Sequence, residues 1–106
     1  MGKAANSSIS LKQIHVTDNF WNKYVHLVKD VIIPYQWDIL NDKLEDVETS
    51  HCIENFKIAA GEKEGEFQGA VFQDTDVAKW LEAVGFVLNY ERDEKLEELA
   101  DETLSL

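Results

Sequence analysis

Apolar residues recur every three or four positions along much of the chain, the spacing typical of amphipathic helices. The first such stretch follows Thr17-Asp18, a plausible N-cap. Because the residue before a proline avoids helical backbone, Pro34 is expected to end this helix and open a second one. The apolar members are Phe20, Trp21, Tyr24, Val25, Leu27, Val28, Val31 and Ile32 in the first helix, and Trp37, Ile39, Leu40 and Leu44 in the second.

The second half of the chain predicts three more helices. After an acidic loop, residues 53–60 form a short helix that Gly61 ends, and further glycines mark a turn-rich stretch. Asp74 is expected to cap the clearest helix, residues 75–89, and a three-residue link leads to a helix from Glu94 onward. The apolar faces are Val77, Trp80, Leu81, Val84, Val87 and Leu88, then Leu96, Leu99, Ala100, Thr103 and Leu104.

The N-terminal region differs from this helical pattern. Residues 1–8 are small and polar, which predicts a flexible N-terminus. Residues 9–17 alternate loosely between apolar and polar, which predicts a short strand. A lone strand needs partners, so this one is expected to pair with a sheet from outside these 106 residues.

The predicted fold is all-α, with helical hairpins as its unit. The last two helices form a hairpin whose open side is expected to expose Trp80, and the final helix lacks a C-cap residue. Such hairpins build α/α barrels or α-solenoids, and the lack of an internal repeat disfavours the solenoid. Residues 18–106 are therefore interpreted as an incomplete part of a larger helical unit.

Charge and cysteine content narrow the functional classes. The net charge of −11 disfavours binding to nucleic acid or to anionic membrane surfaces. No apolar run is long enough for a transmembrane span, and the N-terminus does not resemble a signal peptide. The single cysteine excludes an internal disulfide, which favours a reducing, cytoplasmic location.

Two polar groups could contact a neutral ligand such as a sugar. Asp74 and Asp76 either stabilise a helix start or accept hydrogen bonds from sugar hydroxyls, although their side chains diverge too far for an acid–nucleophile pair. The aromatic and amide groups of residues 35–37 either stack on a sugar or belong partly to the core.

His51 and Cys52 are the other candidates for chemistry. Adjacent ligands without a second pair are a weak zinc signal, and Cys52 as a nucleophile would need a base and an orienting group. The sequence supports neither role strongly.

Four blocks in order carry a family resemblance: Phe20-Trp21, residues 33–37 (IPYQW), residues 55–61 (NFKIAAG) and residues 67–83 (FQGAVFQDTDVAKWLEA). They resemble the N-terminal region of glycoside hydrolase family 127, whose best-known members are bacterial β-L-arabinofuranosidases. The resemblance extends over roughly residues 14–106 but covers only the first part of a family chain.

The resemblance implies an (α/α)6 barrel followed by β-sandwich domains, one of which would pair with the predicted strand. It also implies a retaining hydrolysis in which a cysteine is the nucleophile and a glutamate is the acid/base. In the family, a glutamate and further cysteines hold the nucleophile at a zinc ion. None of these catalytic or metal residues maps onto this chain, and Cys52 lies outside the matching blocks. The residues expected to line or support the sugar pocket are Gln36, Phe72, Gln73, Asp74 and Asp76.

The leading hypothesis is therefore the N-terminal fragment of a zinc-dependent enzyme acting on L-arabinose-containing glycans, inactive by itself. The alternative is a non-enzymatic helical module that forms homo-oligomers or binds a partner through exposed apolar faces. A third hypothesis is a carbohydrate-binding remnant that holds a sugar without cleaving it.

Overall fold

The structure, a computed structural model, describes residues 7–106, and five α-helices account for most of them. A π-helical segment, Val28–Ile32, joins the first two helices, and Leu11–Gln13 forms a 3-10 turn. The predicted all-α fold is confirmed for these residues, whereas residues 1–6 of the expected flexible N-terminus lie outside them. The helices are α1 Asn19–Leu27, α2 Ile33–Leu40, α3 Cys52–Ala59, α4 Asp74–Tyr90 and α5 Glu94–Leu104.

The strand predicted for residues 9–17 is not formed in this structure. Ser10 and Ile14 have extended backbone, but the residues between them make the 3-10 turn, and the Ser10 side chain accepts a hydrogen bond from the amide of Lys12. A strand requires a neighbouring ladder, and the described residues supply none. Pairing of this region with a β-sandwich stays a prediction.

Helical backbone continues through Pro34, although this proline was expected to end the first helix. Ile33 keeps helical backbone at φ −62° and ψ −47°, and its amide donates to the Val28 carbonyl five residues earlier. Proline lacks an N–H and collides with the carbonyl four residues before it in a regular α-helix. The wider π-helical turn immediately before Pro34 accommodates that proline, so α1 and α2 continue as one rod.

The core lies between α2 and α4 and is centred on two tryptophans. Trp37 and Trp80 pack with ring centroids 4.6 Å apart, and the Trp80 indole N–H donates to the Ile33 carbonyl at 3.0 Å. Trp80 is only 3% exposed, so the expectation that it would be exposed is wrong. The α2 half of the rod covers Trp80. The other buried apolar residues are Leu40, Cys52, Ile53, Val77, Val84 and Leu96.

Local capping sets several helix boundaries. Asp18 caps α1 by accepting from the Trp21 amide at 2.8 Å, and Asp93 caps α5 by accepting from the Leu96 amide at 3.1 Å. Gly61, at φ 78°, follows the end of α3 as predicted. Asp74 was expected to be a cap but is the first residue inside α4, where its carboxylate lies at the positive end of the helix dipole.

A large apolar surface remains outside this core. The accessible surface is 8153 Å² for a chain of 12.1 kDa, whereas a compact monomer of that mass exposes about 6,000 Å². On α1, Phe20, Trp21 and Tyr24 form an exposed aromatic cluster. Leu104, which the apolar spacing places on the apolar face of α5, is also exposed. Among the described residues, no helix combines the length and hydropathy needed to cross a bilayer.

Lys29 holds the first rod against the link between α4 and α5. Its ammonium lies 3.0 Å from Asp30, 3.7 Å from Glu91 and 3.8 Å from Asp93, and its side chain is 14% exposed. The hydrogen bond to Asp30, followed by the charges of the three carboxylates, raises the pKa of Lys29, although partial burial opposes the rise.

Replacement of Trp80 by Phe is expected to lower the free energy of unfolding by about 2 kcal/mol, because it removes the buried indole hydrogen bond to the Ile33 carbonyl and reduces the volume of the buried ring. Urea denaturation followed by circular dichroism measures the change. The matched control is Trp21→Phe at a site that is 61% exposed, where we expect a change within about 0.5 kcal/mol. Equal losses in both variants would contradict the central role of Trp80.

Lys29→Gln is expected to destabilise the chain by about 1 kcal/mol or less at neutral pH, because it removes a partly exposed charge network. A lysine with a raised folded-state pKa contributes its full stability below the ordinary value of 10.5 and loses it as pH rises through the folded-state pKa. The difference between the variant and the parent should therefore shrink as pH rises above 10.5. Urea denaturation at neutral and alkaline pH tests this, and a difference independent of pH would refute it.

Candidate functional site

A groove of about 440 Å³ runs between α2 and α4 and contains two of the predicted sugar-contacting residues. Gln36 comes from α2 and Asp76 from the first turn of α4, and both side chains are exposed. Lys79 lies 3.3 Å from the Asp76 carboxylate. The groove thus combines an amide, a carboxylate and an ammonium over an apolar floor, a composition suited to hydroxyl-bearing ligands. Its remaining lining residues are Ile39, Leu40, Trp80 and Ala83.

The other three predicted site residues do not line this groove. Phe72 is 69% exposed, and Asp74 is also exposed. Gln73 turns back on its own loop, where its side-chain oxygen accepts from the Ala70 amide at 3.0 Å. A Cβ at Gly69, which has φ 93°, would overlap that oxygen, so Gln73 and Gly69 together shape the turn before α4. A pocket role for Phe72, Gln73 and Asp74 stays a prediction.

Residues 35–37 divide between core and surface. Trp37 is buried against Trp80, and Tyr35 and Gln36 are exposed. Trp37 is therefore a core residue, and of these three residues only Gln36 lines the groove.

Cys52 is a buried structural thiol in this fold. Its Sγ donates to the backbone carbonyl of Gln73 at 2.8 Å, which links the start of α3 to the turn before α4. Burial raises the pKa of the thiol, and nearby carboxylates add to the rise. A thiol held neutral and away from solvent is a poor nucleophile. One buried cysteine also does not fit the multi-cysteine zinc set that the family resemblance implies.

Three other polar side chains converge at the start of α3. Ligand atoms of Asp42, His51 and Glu54 all lie within 4.8 Å of one another, and each residue is partly buried. Sequence reasoning considered His51 only with its neighbour Cys52, which faces a different partner. The proximity of Asp42 depends on how the loop between α2 and α3 closes, and the sequence carries no direct signal of that closure.

Comparisons with known proteins agree with this architecture. The protein-family model described as "Beta-L-arabinofuranosidase, GH127 catalytic domain" matches residues 13–106 of the sequence. The crystal structure of a GH127 beta-L-arabinofuranosidase from Geobacillus stearothermophilus T6 is 56% identical, with a TM-score of 0.82. That match covers 86% of this chain and 14% of the Geobacillus chain.

A curated relative shows the same similarity. The non-reducing end beta-L-arabinofuranosidase of Bifidobacterium longum is 37% identical over 105 residues, covering 88% of this chain and 16% of the relative. The helical hairpins are thus consistent with part of an (α/α)6 barrel. The chain belongs to glycoside hydrolase family 127 and spans about one seventh of the length of these relatives.

Native Cys52 is expected to resist iodoacetamide, because burial and the raised pKa suppress thiolate formation. Mass spectrometry should show slow alkylation in buffer and fast alkylation in urea. Because the folded-state pKa is raised above the ordinary 9.0, the stability that the neutral thiol contributes is present below that value and lost as pH rises through the folded-state pKa. Rapid alkylation of the native chain at neutral pH would contradict the assignment.

Proposed function

We propose that this chain supplies the N-terminal helices of the catalytic barrel of a β-L-arabinofuranosidase that acts on L-arabinose-containing glycans. The observation that carries the proposal is the family match over residues 13–106, supported by the TM-score of 0.82 to a GH127 enzyme. The chain corresponds to 14–16% of two family members, so the proposal assigns most of the active site to other parts of a family-length protein.

The distribution of apolar surface supports a role as one part of a larger unit. The aromatic cluster of Phe20, Trp21 and Tyr24 lies outside the core, although it sits on a well-formed helix. Exposed apolar patches of this kind mark interaction surfaces. In a family-length enzyme, we assign the covering of this face to polypeptide beyond these residues.

The groove between α2 and α4 is the part of the chain that we assign to sugar contact. The amide of Gln36 can both donate to and accept from hydroxyl groups, and the carboxylate of Asp76 accepts. Trp80 forms the floor but is too buried to stack on a sugar ring. These groups would orient a glycan, whereas cleavage needs a pair of catalytic groups that this groove does not present.

Zinc dependence and a retaining mechanism belong to the proposal for the family-length protein. We assign the ligands of the catalytic zinc and the nucleophile to residues outside this chain, because the buried thiol of Cys52 is hydrogen-bonded to a backbone carbonyl. The free cysteine is compatible with the predicted cytoplasmic location.

A chimera tests the proposed function directly. The matching segment of the Geobacillus enzyme would be replaced by this chain, and hydrolysis of a chromogenic β-L-arabinofuranoside measured. We expect an active chimera and no turnover by the 106-residue chain alone. Gln36→Ala or Asp76→Asn should lower kcat/KM about tenfold or more if each removes a hydrogen bond to the sugar.

Glu82→Gln is the matched control, because it alters an exposed acid on α4 that does not line the groove. It should leave kcat/KM unchanged. An inactive but folded chimera would argue against the proposed function, and activity insensitive to Gln36 and Asp76 would remove the groove from the sugar site.

The second candidate function is self-association or partner binding without catalysis, which the exposed aromatic cluster favours. Light scattering of the chain separates the two candidates. A concentration-dependent dimer that Trp21→Lys abolishes, together with an inactive chimera, would favour the non-enzymatic module. A monomer together with an active chimera would exclude it.

A further inference from the structure

The loop that follows α2 brings three potential metal ligands together at the start of α3. Asp42 lies just after α2, His51 directly precedes α3, and Glu54 lies in its first turn. One ligand atom from each lies within 4.8 Å of the other two. The three residues come from two separate stretches of chain, so a shared ion would join the loop to the helix.

The imidazole of His51 is the unexplained member of this cluster. Its side chain is 27% exposed, yet Nδ1 itself is buried and has no hydrogen-bond partner among the described residues. The nearest carboxylate oxygen, Oδ2 of Asp42, lies 3.8 Å away, beyond hydrogen-bond range. A hydrogen on Nδ1 would therefore lack an acceptor, and a lone pair on Nδ1 would lie 3.8 Å from an Asp42 carboxylate oxygen. A cation between these groups would satisfy all three.

Both carboxylates keep the capacity to bind a cation. Asp42 accepts from the Ser50 amide at 2.6 Å and from the His51 amide at 3.0 Å, and Glu54 pairs through one oxygen with Lys63 at 3.0 Å. An ionised carboxylate has about four lone-pair sites, so these bonds leave some free. The two amide bonds to Asp42 would also orient it as a ligand, the role that outer hydrogen bonds have around metal sites.

We propose that Asp42, His51 and Glu54 bind one divalent transition-metal ion of the zinc class, through Nδ1 of His51 and one oxygen of each carboxylate. Imidazole favours zinc over magnesium or calcium, which prefer all-oxygen sets. Ligands on a tetrahedral zinc lie about 3.4 Å apart. Asp42 and His51 are 3.8 Å apart and no separation exceeds 4.8 Å, so the side chains must close by about 1.4 Å at most. The ion would link the loop after α2 to the first turn of α3.

Calorimetry with Zn²⁺ and the metal-free 106-residue chain tests the proposal. We expect one ion per chain, weaker heats with Mg²⁺ or Ca²⁺, and a shift of the His51 ring nitrogens in NMR spectra. Loss of an outer partner alone costs about 10–100-fold in metal affinity, so His51→Asn and Glu54→Gln should each weaken binding by about 100-fold. Asn suits position 51 because His51 has φ 58°, a left-handed conformation that Asn tolerates.

His26→Gln is the matched control, because Nδ1 of His26 also lies 3.8 Å from a carboxylate, that of Asp30, but on an exposed helix surface. It should bind zinc like the parent chain. Equal weakening by His26→Gln and His51→Asn, or absence of binding by the parent, would overturn the proposal. Abolition of binding by Cys52→Ala, with Glu54→Gln unaffected, would assign the ion to the thiol and equally overturn it.

Discussion

The contact between Trp80 and the first rod anchors α4, the helix against which α3 and α5 also pack. The indole reaches across from α4 to the carbonyl of Ile33 and packs against Trp37, so one side chain supplies both a buried hydrogen bond and apolar contact. Because a buried donor requires a partner, this pair fixes the relative position of α2 and α4. The groove with Gln36 and Asp76 lies directly above that contact.

Much of the fold was predictable because local patterns govern it. The stripe from Val77 to Leu88 identified α4, and the residues after Tyr90 identified the tight link to α5. Two expectations failed for different physical reasons. Pro34 is accommodated by a local π-helical turn that the apolar spacing did not reveal, and Trp80 is covered by a helix distant in sequence. The strand at residues 9–17 needs a sheet that the described residues do not supply, so it stays a prediction.

The candidate site was less predictable, since it depends on which residues the fold brings together. The sequence blocks that resemble the family singled out Gln36 and Asp76, and the structure places both in one groove. Phe72 and Asp74 lie outside that groove. The cluster at His51 was not anticipated. It depends on the loop between α2 and α3 bringing His51 back to Asp42, nine positions earlier in the chain, and loop closure leaves no periodic signal in sequence.

The π-helical segment before Pro34 has a consequence for how this rod can change during evolution. Each residue of an α-helix advances about 100° around the axis. The extra residue in the widened turn therefore sets the rotation of α1 about the rod axis relative to α2. That rotation leaves Phe20 and Trp21 of α1 exposed while Ile33 and Trp37 of α2 are buried. Removing one residue between 28 and 32 would rotate one half against the other, so insertions and deletions there should be tolerated far less than substitutions.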